Sequence, residues 1–242
     1  VIDLITVATT ADERQRNADM AVLPVGSFEQ HGDFLPLITD TVVACVVAQR
    51  IAEVHPVMLL PPITVSCSHE HSAWSGTVSI SARTLYQVVM DIAGSLRRSG
   101  VGQLVLVNGH GGNYVLSNVV QEYTAIHGPV MHLFPLGRHW ADARVDAGIE
   151  TEGHEDMHAG ELETSLLLHK APHLVRPGNS TGDHTTEDRQ YLLTVGMGAH
   201  TASGVIGRPS LGTAEKGRRA LDSLARSFTN YLQATPAGQG TK

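Results

Sequence analysis

Gln103-Leu104-Val105-Leu106-Val107-Asn108-Gly109-His110-Gly111-Gly112-Asn113 is the stretch from which the fold can be read. After Gln103 the run is apolar without alternation, the pattern of a strand buried on both faces, as in a parallel sheet. The glycine-rich turn follows at once. Residues 114–126 then predict a helix and residues 130–134 a further strand. A strand, a turn, a helix and another strand make a βα unit, so the sheet is expected to be parallel.

Outward from this stretch the alternation repeats. Residues 21–25 predict a short buried strand closed by Gly26. Thr39 and Asp40 open a helix to about residue 54, with apolar positions at Val42, Val43, Val46, Val47 and Ile51. Residues 57–60 predict the next strand, stopped by Pro61 and Pro62. Ser81 caps a helix that ends at Gly100, where Arg97 and Arg98 complement the negative end of its dipole. Past Leu136 the rhythm loosens: residues 138–157 predict a helix plus a long functional loop, 161–169 a helix, and 214–233 a closing amphipathic helix. The expected class is α/β, a mainly parallel sheet with helices on both faces. One domain is expected over residues 1–234, with a frayed tail at 235–242.

Composition narrows the function. Against 24 acidic residues the 242-residue chain has 17 Lys and Arg, a net charge of −7. That balance lacks the basic face that binding nucleic acid through its phosphates requires. No apolar run is long enough to span a membrane. Cys45 and Cys67 are too few for a disulfide framework, so a reducing, cytoplasmic setting is expected. The 14 histidines are the unusual feature.

In open parallel sheets, ligands bind beyond the carboxyl ends of the strands, which directs attention to three loops. The first, residues 26–32, carries Glu29 and His31 one residue apart, with Asp40 following; the set suits Zn²⁺ or Mn²⁺, and a solvated polar turn is the alternative. The second, residues 108–113, places His110 among glycines at a helix start. It lacks the Lys-Ser/Thr of a P-loop, so phosphate cradling is disfavoured. The third holds His158, then Ala159-Gly160, then Glu161 and Glu163 at the start of a helix, where acids also serve as ordinary dipole complements. Together the loops supply Glu29, His31, Asp40, His110, His158 and one of Glu161 or Glu163, enough for a two-metal centre.

Residues 26–32, Thr39-Asp40, residues 108–113 and residues 158–165, in this order and spacing, resemble the creatininase (creatinine amidohydrolase) family across most of the chain. The resemblance implies a three-layer α/β/α fold, two divalent ions per chain (Zn²⁺ and/or Mn²⁺, with Fe²⁺ as a further choice), and a homo-oligomer, a hexamer above all. It also implies that Glu29, Asp40 and His110 hold one ion, that His31, the shared Asp40 and Glu163 hold the other, and that His158 is the catalytic histidine. Gly111-Gly112 stands where true creatininases carry Tyr-Glu, and His154 where they place a Trp, which points to a branch that does not act on creatinine. The stretch from Ser68 to Thr77 resembles such branches, which include formamidopyrimidine deformylases, the peptidase of mycofactocin maturation and lactone hydrolases.

The expected activity is therefore hydrolysis of an amide-type C–N bond by a metal-bound hydroxide, in a cyclic amide, a formamide or a peptide-like small molecule. His158 would pass a proton to the leaving nitrogen. Glu70, His71, Gly111, Gly112 and Glu161 are candidate substrate contacts, with a buried structural Glu70–His71 pair as the alternative. Lactone opening, a non-catalytic metal-binding module and a phosphate-binding α/β protein are the competing functions.

Overall fold

The computed structural model describes residues 5–186 and 188–235; the tail expected at 235–242 lies, apart from Thr235, outside the described residues. In chain order the elements begin with α1 (Thr10–Arg16), β1 (Met20–Val25), α2 (Thr39–Ala52), β2 (Met58–Leu59) and α3 (Ala82–Arg98). They continue with β3 (Gln103–Asn108), α4 (Val115–His127), β4 (Met131–Phe134) and α5 (Gly137–Ala147). The last are α6 (Glu161–Lys170), the single turn α7 (Leu192–Val195) and α8 (Ala214–Ala234). Helix α1 has no counterpart in the sequence reading; it buries nothing and is held by a capping box between Thr9 and Asp12.

Among the described residues four strands pair in the order β2-β1-β3-β4, every pair parallel. From β1 the chain goes first to one side (β2) and then to the other (β3). The crevice between the ends of β1 and β3 is thus a topological switch point, the place where such sheets bind ligands. The sheet carries helices on both faces, as expected. On one face α2, α5, α6 and α8 enclose a core that includes Val46, Val105, Leu166, Leu221 and Phe228. On the other α3 and α4 cover Leu23, Leu85, Leu104, Leu106 and Val119.

Local sequence accounts for these layers. Helix α3 starts where the Ser81 hydroxyl accepts from the Thr84 N–H (3.2 Å), and it buries Leu85, Val89, Ala93 and Leu96, one helical stripe. Helix α8 starts in the same way, from Lys216 N–H to Thr213 (3.2 Å), and buries Ala220, Leu221, Leu224 and Phe228. Each large side chain fully buried here contributes about 1.5–3 kcal/mol. Two such cores can carry an energetically unfavourable feature, and the switch point contains one. Among the described residues no helix is long and apolar enough to cross a membrane.

Candidate metal centre

Glu29 lies in the loop that leaves β1, held by its backbone N–H donating to Leu37 O (3.0 Å). Its side chain is 0% exposed, and neither carboxylate oxygen accepts a hydrogen bond from the described residues. Ring nitrogens of His71 and His110 each come within 3.2 Å of Oε1, and Nδ1 of His158 within 3.9 Å, yet none is aligned to donate. Removing a carboxylate from water costs several kcal/mol, while an ordinary hydrogen bond returns only about 1 kcal/mol. A buried carboxylate without donors, ringed by imidazoles, fits a cation.

The neighbouring donors are arranged for one. Asp40, in the first turn of α2, places Oδ1 3.2 Å from His31 Nε2 and Oδ2 2.9 Å from His110 Nδ1. Ser27 donates to the same Oδ2 (2.6 Å), which fixes the carboxylate between the two rings. His31 donates its Nδ1–H to Glu29 O (3.1 Å), so Nε2 is left as the ligand atom. His110 donates its Nε2–H to Cys67 O (2.9 Å), which leaves Nδ1. Glu163 Oε2 stands 4.0 Å from His31 Nε2. Three groups have ligand atoms within 4.8 Å of one another: Glu29–Asp40–His110, His31–Asp40–Glu163, and Glu29–His31–His158. The first two are the sets expected for two ions, with Asp40 common to both.

Electrostatics reflect this crowding. Burial pushes His31 down, but the charge of Asp40 outweighs it and the pKa rises to about 9. Burial also opposes charge on His110, yet Glu29 and Asp40 hold it well above the usual imidazole range. For Asp40 burial is outweighed by His31 and His110, so its carboxyl falls well below the usual range. Burial raises Glu163 to about 7, against the pull of His31. His158 moves the opposite way: burial, then His31 and His71, drive it well below its ordinary value, so the ring is neutral.

The third loop is positioned by residues that sequence reading missed. Asp156 accepts from the N–H groups of Glu161 (2.6 Å) and Leu162 (3.1 Å), capping α6 from outside the helix. Arg144 of α5 pins that carboxylate (2.8 Å). Gly160 is required beside it, because a Cβ there would overlap Asp156 Oδ1. Ala159 takes a left-handed φ of 53°, which turns its N–H onto Glu163 Oε2 (2.6 Å). The strain is about 1–2 kcal/mol. His158 thus precedes α6, on a bridge to Ile206, while Glu163 lies inside the helix.

Other expectations are corrected. Glu161 was a candidate substrate contact, but its carboxylate is 0% exposed and turned away from the cluster. It accepts from Thr151 N (3.0 Å), Thr151 Oγ1 (2.8 Å), Glu150 N (3.0 Å) and Lys216 Nζ (2.6 Å). Arg144, within the predicted functional stretch 138–157, is engaged by Asp156. Glu70 and His71 do not pair with each other: Glu70 Oε1 faces His110 Nε2 (3.4 Å), and His71 faces Glu29. Gly112 is closely packed, since a Cβ there would overlap Glu70 and His110, whereas Gly111 is exposed. A cavity of about 470 Å³ opens beside the cluster, with His110, Gly111, His158 and Glu163 in its wall and Trp140, Met157 and Leu162 as apolar lining.

A family model described as creatinine amidohydrolase matches residues 6–232. The chain belongs to the creatininase family. The mycofactocin precursor peptide peptidase of Mycobacterium ulcerans is 35% identical over 234 residues, covering 90% of this chain and 87% of that protein. The creatinine amidohydrolase of Pseudomonas putida is 29% identical over 229 residues, covering 88% of each. Solved creatininases include a manganese form and a Zn–Zn form of a mutant. The Zn–Zn structure is 25% identical, covers 94% of this chain and 96% of its own, and superposes with a TM-score of 0.77. As a creatininase-family member the chain is a metal-dependent amidohydrolase of α/β fold.

Proposed function

We propose that this chain is a two-metal hydrolase of an amide-type C–N bond in a small, peptide-like molecule. The observation that carries the reading is the pair of ligand sets, Glu29–Asp40–His110 and His31–Asp40–Glu163, sharing Asp40 and buried except at Glu163. Peptide-like chemistry is favoured over creatinine by the relatives at 32–35% identity that are named peptidases, and by Gly111-Gly112 in place of the creatininase pair. Zn²⁺ or Mn²⁺ suits these oxygen and imidazole donors. When bound, such ions polarise a carbonyl and lower the pKa of water toward ~7.

The chain's own residues supply the rest. His158 donates its Nε2–H to Gln30 O (2.7 Å), so its basic atom is Nδ1, on the side of Glu29. A neutral ring there accepts a proton and returns it to a leaving nitrogen. Gly111, exposed in the cavity wall at the start of α4, leaves room for substrate backbone. Cys45 and Cys67 are buried free thiols, which fits a reducing compartment. A homo-oligomer, a hexamer above all, belongs to the same reading; a monomeric mass in light scattering would remove that part.

The test combines metal analysis with a substrate screen of short peptides, cyclic amides, formamides and lactones. The expected result is two divalent ions per chain, peptide or amide cleavage, loss of activity on chelation and recovery with Zn²⁺ or Mn²⁺. Full activity in EDTA without stoichiometric metal overturns the reading. Cleavage of lactones alone replaces the substrate class.

A further inference from the structure

Gln30, between the two ligands Glu29 and His31, is 5% exposed and was not a candidate on sequence. Its side chain is fixed at both ends. Oε1 accepts from Gly32 N (3.0 Å), and Nε2 donates to Gly204 O (3.1 Å). That leaves the amide's second hydrogen for His71 Nδ1, 2.9 Å away. The opposite amide orientation would set Oε1 against a carbonyl and an NH₂ against an N–H, so the network itself fixes which atom faces His71. The placement also requires a glycine at 204, where φ is +83° and a Cβ would overlap the Gln30 amide.

A nitrogen that accepts cannot carry the proton of a neutral ring. His71 is therefore the Nε2–H tautomer, and Nε2 is the atom 3.2 Å from Glu29 Oε1. The geometry points to Gln30 as a positioning residue: it holds the His71 proton on Nε2, the atom that faces Glu29, and so withholds that nitrogen from the metal as a ligand. Among the described residues His71 is outside all three ligand groups, although its ring centroid is 4.4 Å from that of His158. The backbone of Gln30 treats His158 in the complementary way, since its carbonyl takes Nε2–H and leaves Nδ1 basic. One residue thus sets opposite duties for two adjacent rings. The part concerning metal rests on the two-metal reading; the tautomer of His71 does not.

The test is long-range ¹H–¹⁵N correlation of the histidine rings in chelated and Zn²⁺-loaded protein, followed by the isosteric Gln30→Met. Wild-type His71 is expected to carry its proton on Nε2 in both states. In Gln30→Met the His71 signals become those of mixed tautomers while His158, held by a backbone carbonyl, keeps its own. Zn²⁺ affinity by chelator competition falls 10–100-fold, the range for losing an orienting partner of a ligand. A proton on Nδ1 of wild-type His71 overturns the inference even if the variant does not fold. So does a Gln30→Met protein with unchanged His71 tautomer and unchanged affinity. Wild-type protein that binds no Zn²⁺ yet shows Nε2–H on His71 removes the two-metal reading and leaves the tautomer assignment standing.

Discussion

Glu29 and Glu161 are both 0% exposed and both follow a loop to the same end of the sheet, yet their surroundings are opposite. Glu161 is surrounded by donors: two backbone N–H groups, a hydroxyl and the Lys216 ammonium. Glu29 has none. A carboxylate satisfied by its own chain is part of the scaffold. One left unsatisfied at a topological switch point is kept at the expense of stability, and in the proposed centre a bound cation would repay it. Burial alone does not separate the two; the count of donors does.

The largest effect expected from breaking this contrast is at Glu29. Glu29→Gln removes the buried charge, so one ion should be lost and activity should fall at least ~10³-fold. The chelated variant should melt close to the chelated parent: the substitution removes a buried carboxylate without hydrogen-bond donors but also one of the two charges that face His110, and Asp40 still holds that ring. Paired metal analysis and thermal melts decide it. A clear drop in melting temperature in EDTA would mean that Glu29 has structural donors after all.

Glu163 tests the second ligand set. Glu163→Gln should also remove one ion and most activity, since a neutral amide is a far weaker ligand. Its effect on the chelated fold should be small: the side chain is about one-fifth exposed and accepts one backbone bond, from Ala159. Metal content unchanged from wild type would reassign the site, with His158 of the third ligand group as the replacement.

Proton linkage gives a smaller contrast. In the chelated protein the His31 ring is charged up to about pH 9, whereas in the unfolded chain it is charged only up to about its ordinary 6.5. Its charge therefore stabilises the fold fully below pH 6.5, and that contribution is lost as the pH rises to 9. The 2.5-unit shift corresponds to about 3 kcal/mol at most. Glu163, raised to about 7, works in the same direction at lower pH: its neutral form stabilises, and this is lost between about 4.5 and 7. Melting temperature in EDTA should thus fall from pH 6.5 to 9. With Zn²⁺ or Mn²⁺ the fall should be absent, because metal displaces these protons. A flat chelated profile would show that His31 is not charged. Burial acts to raise Glu161, but Lys216 and its other donors lower it overall, so it is ionised throughout this window and adds no slope.

Much of this was legible in the sequence, and for identifiable reasons. The apolar runs of β1 and β3 have no other stable place than a sheet covered on both faces, so the fold class followed from residues 21–25 and 103–107. Glu29, His31, Asp40 and His110 stand directly after strands or in a helix's first turn, where chain order and space coincide. What pattern did not reveal depends on pairing at a distance. Asp156 caps α6 across a loop, Arg144 and Lys216 reach from other helices, and Gln30 meets Gly204. Helix α1 buries nothing and so shows no apolar period. For Gln30 one signal existed: a polar residue between two ligands in a tight loop is itself bound to be buried, and needs partners.

Glu161 was misjudged for the same reason, and it offers the last and smallest test. Its place three residues after His158, in the same loop-and-helix stretch, made Glu161 a candidate substrate contact. In the fold His158 precedes the helix, and Glu161 instead faces Thr151 and Lys216. Glu161→Gln retains an acceptor for one side of this network but sets an NH₂ group against donors on the other. One Oε receives Thr151 N, Thr151 Oγ1 and Glu150 N, the other Lys216 Nζ and Glu150 N. Either orientation of the amide leaves at least one donor facing another donor, at about 1–3 kcal/mol. Lys216 keeps its bond to Glu150 (3.0 Å), so no ammonium is stranded and the loss should sit near the middle of that range, about 2 kcal/mol. Denaturant unfolding should record it as a lower midpoint at unchanged slope. Both ions should remain. An ion lost from Glu161→Gln with stability intact would exchange the roles of the two glutamates and return Glu161 to the metal centre.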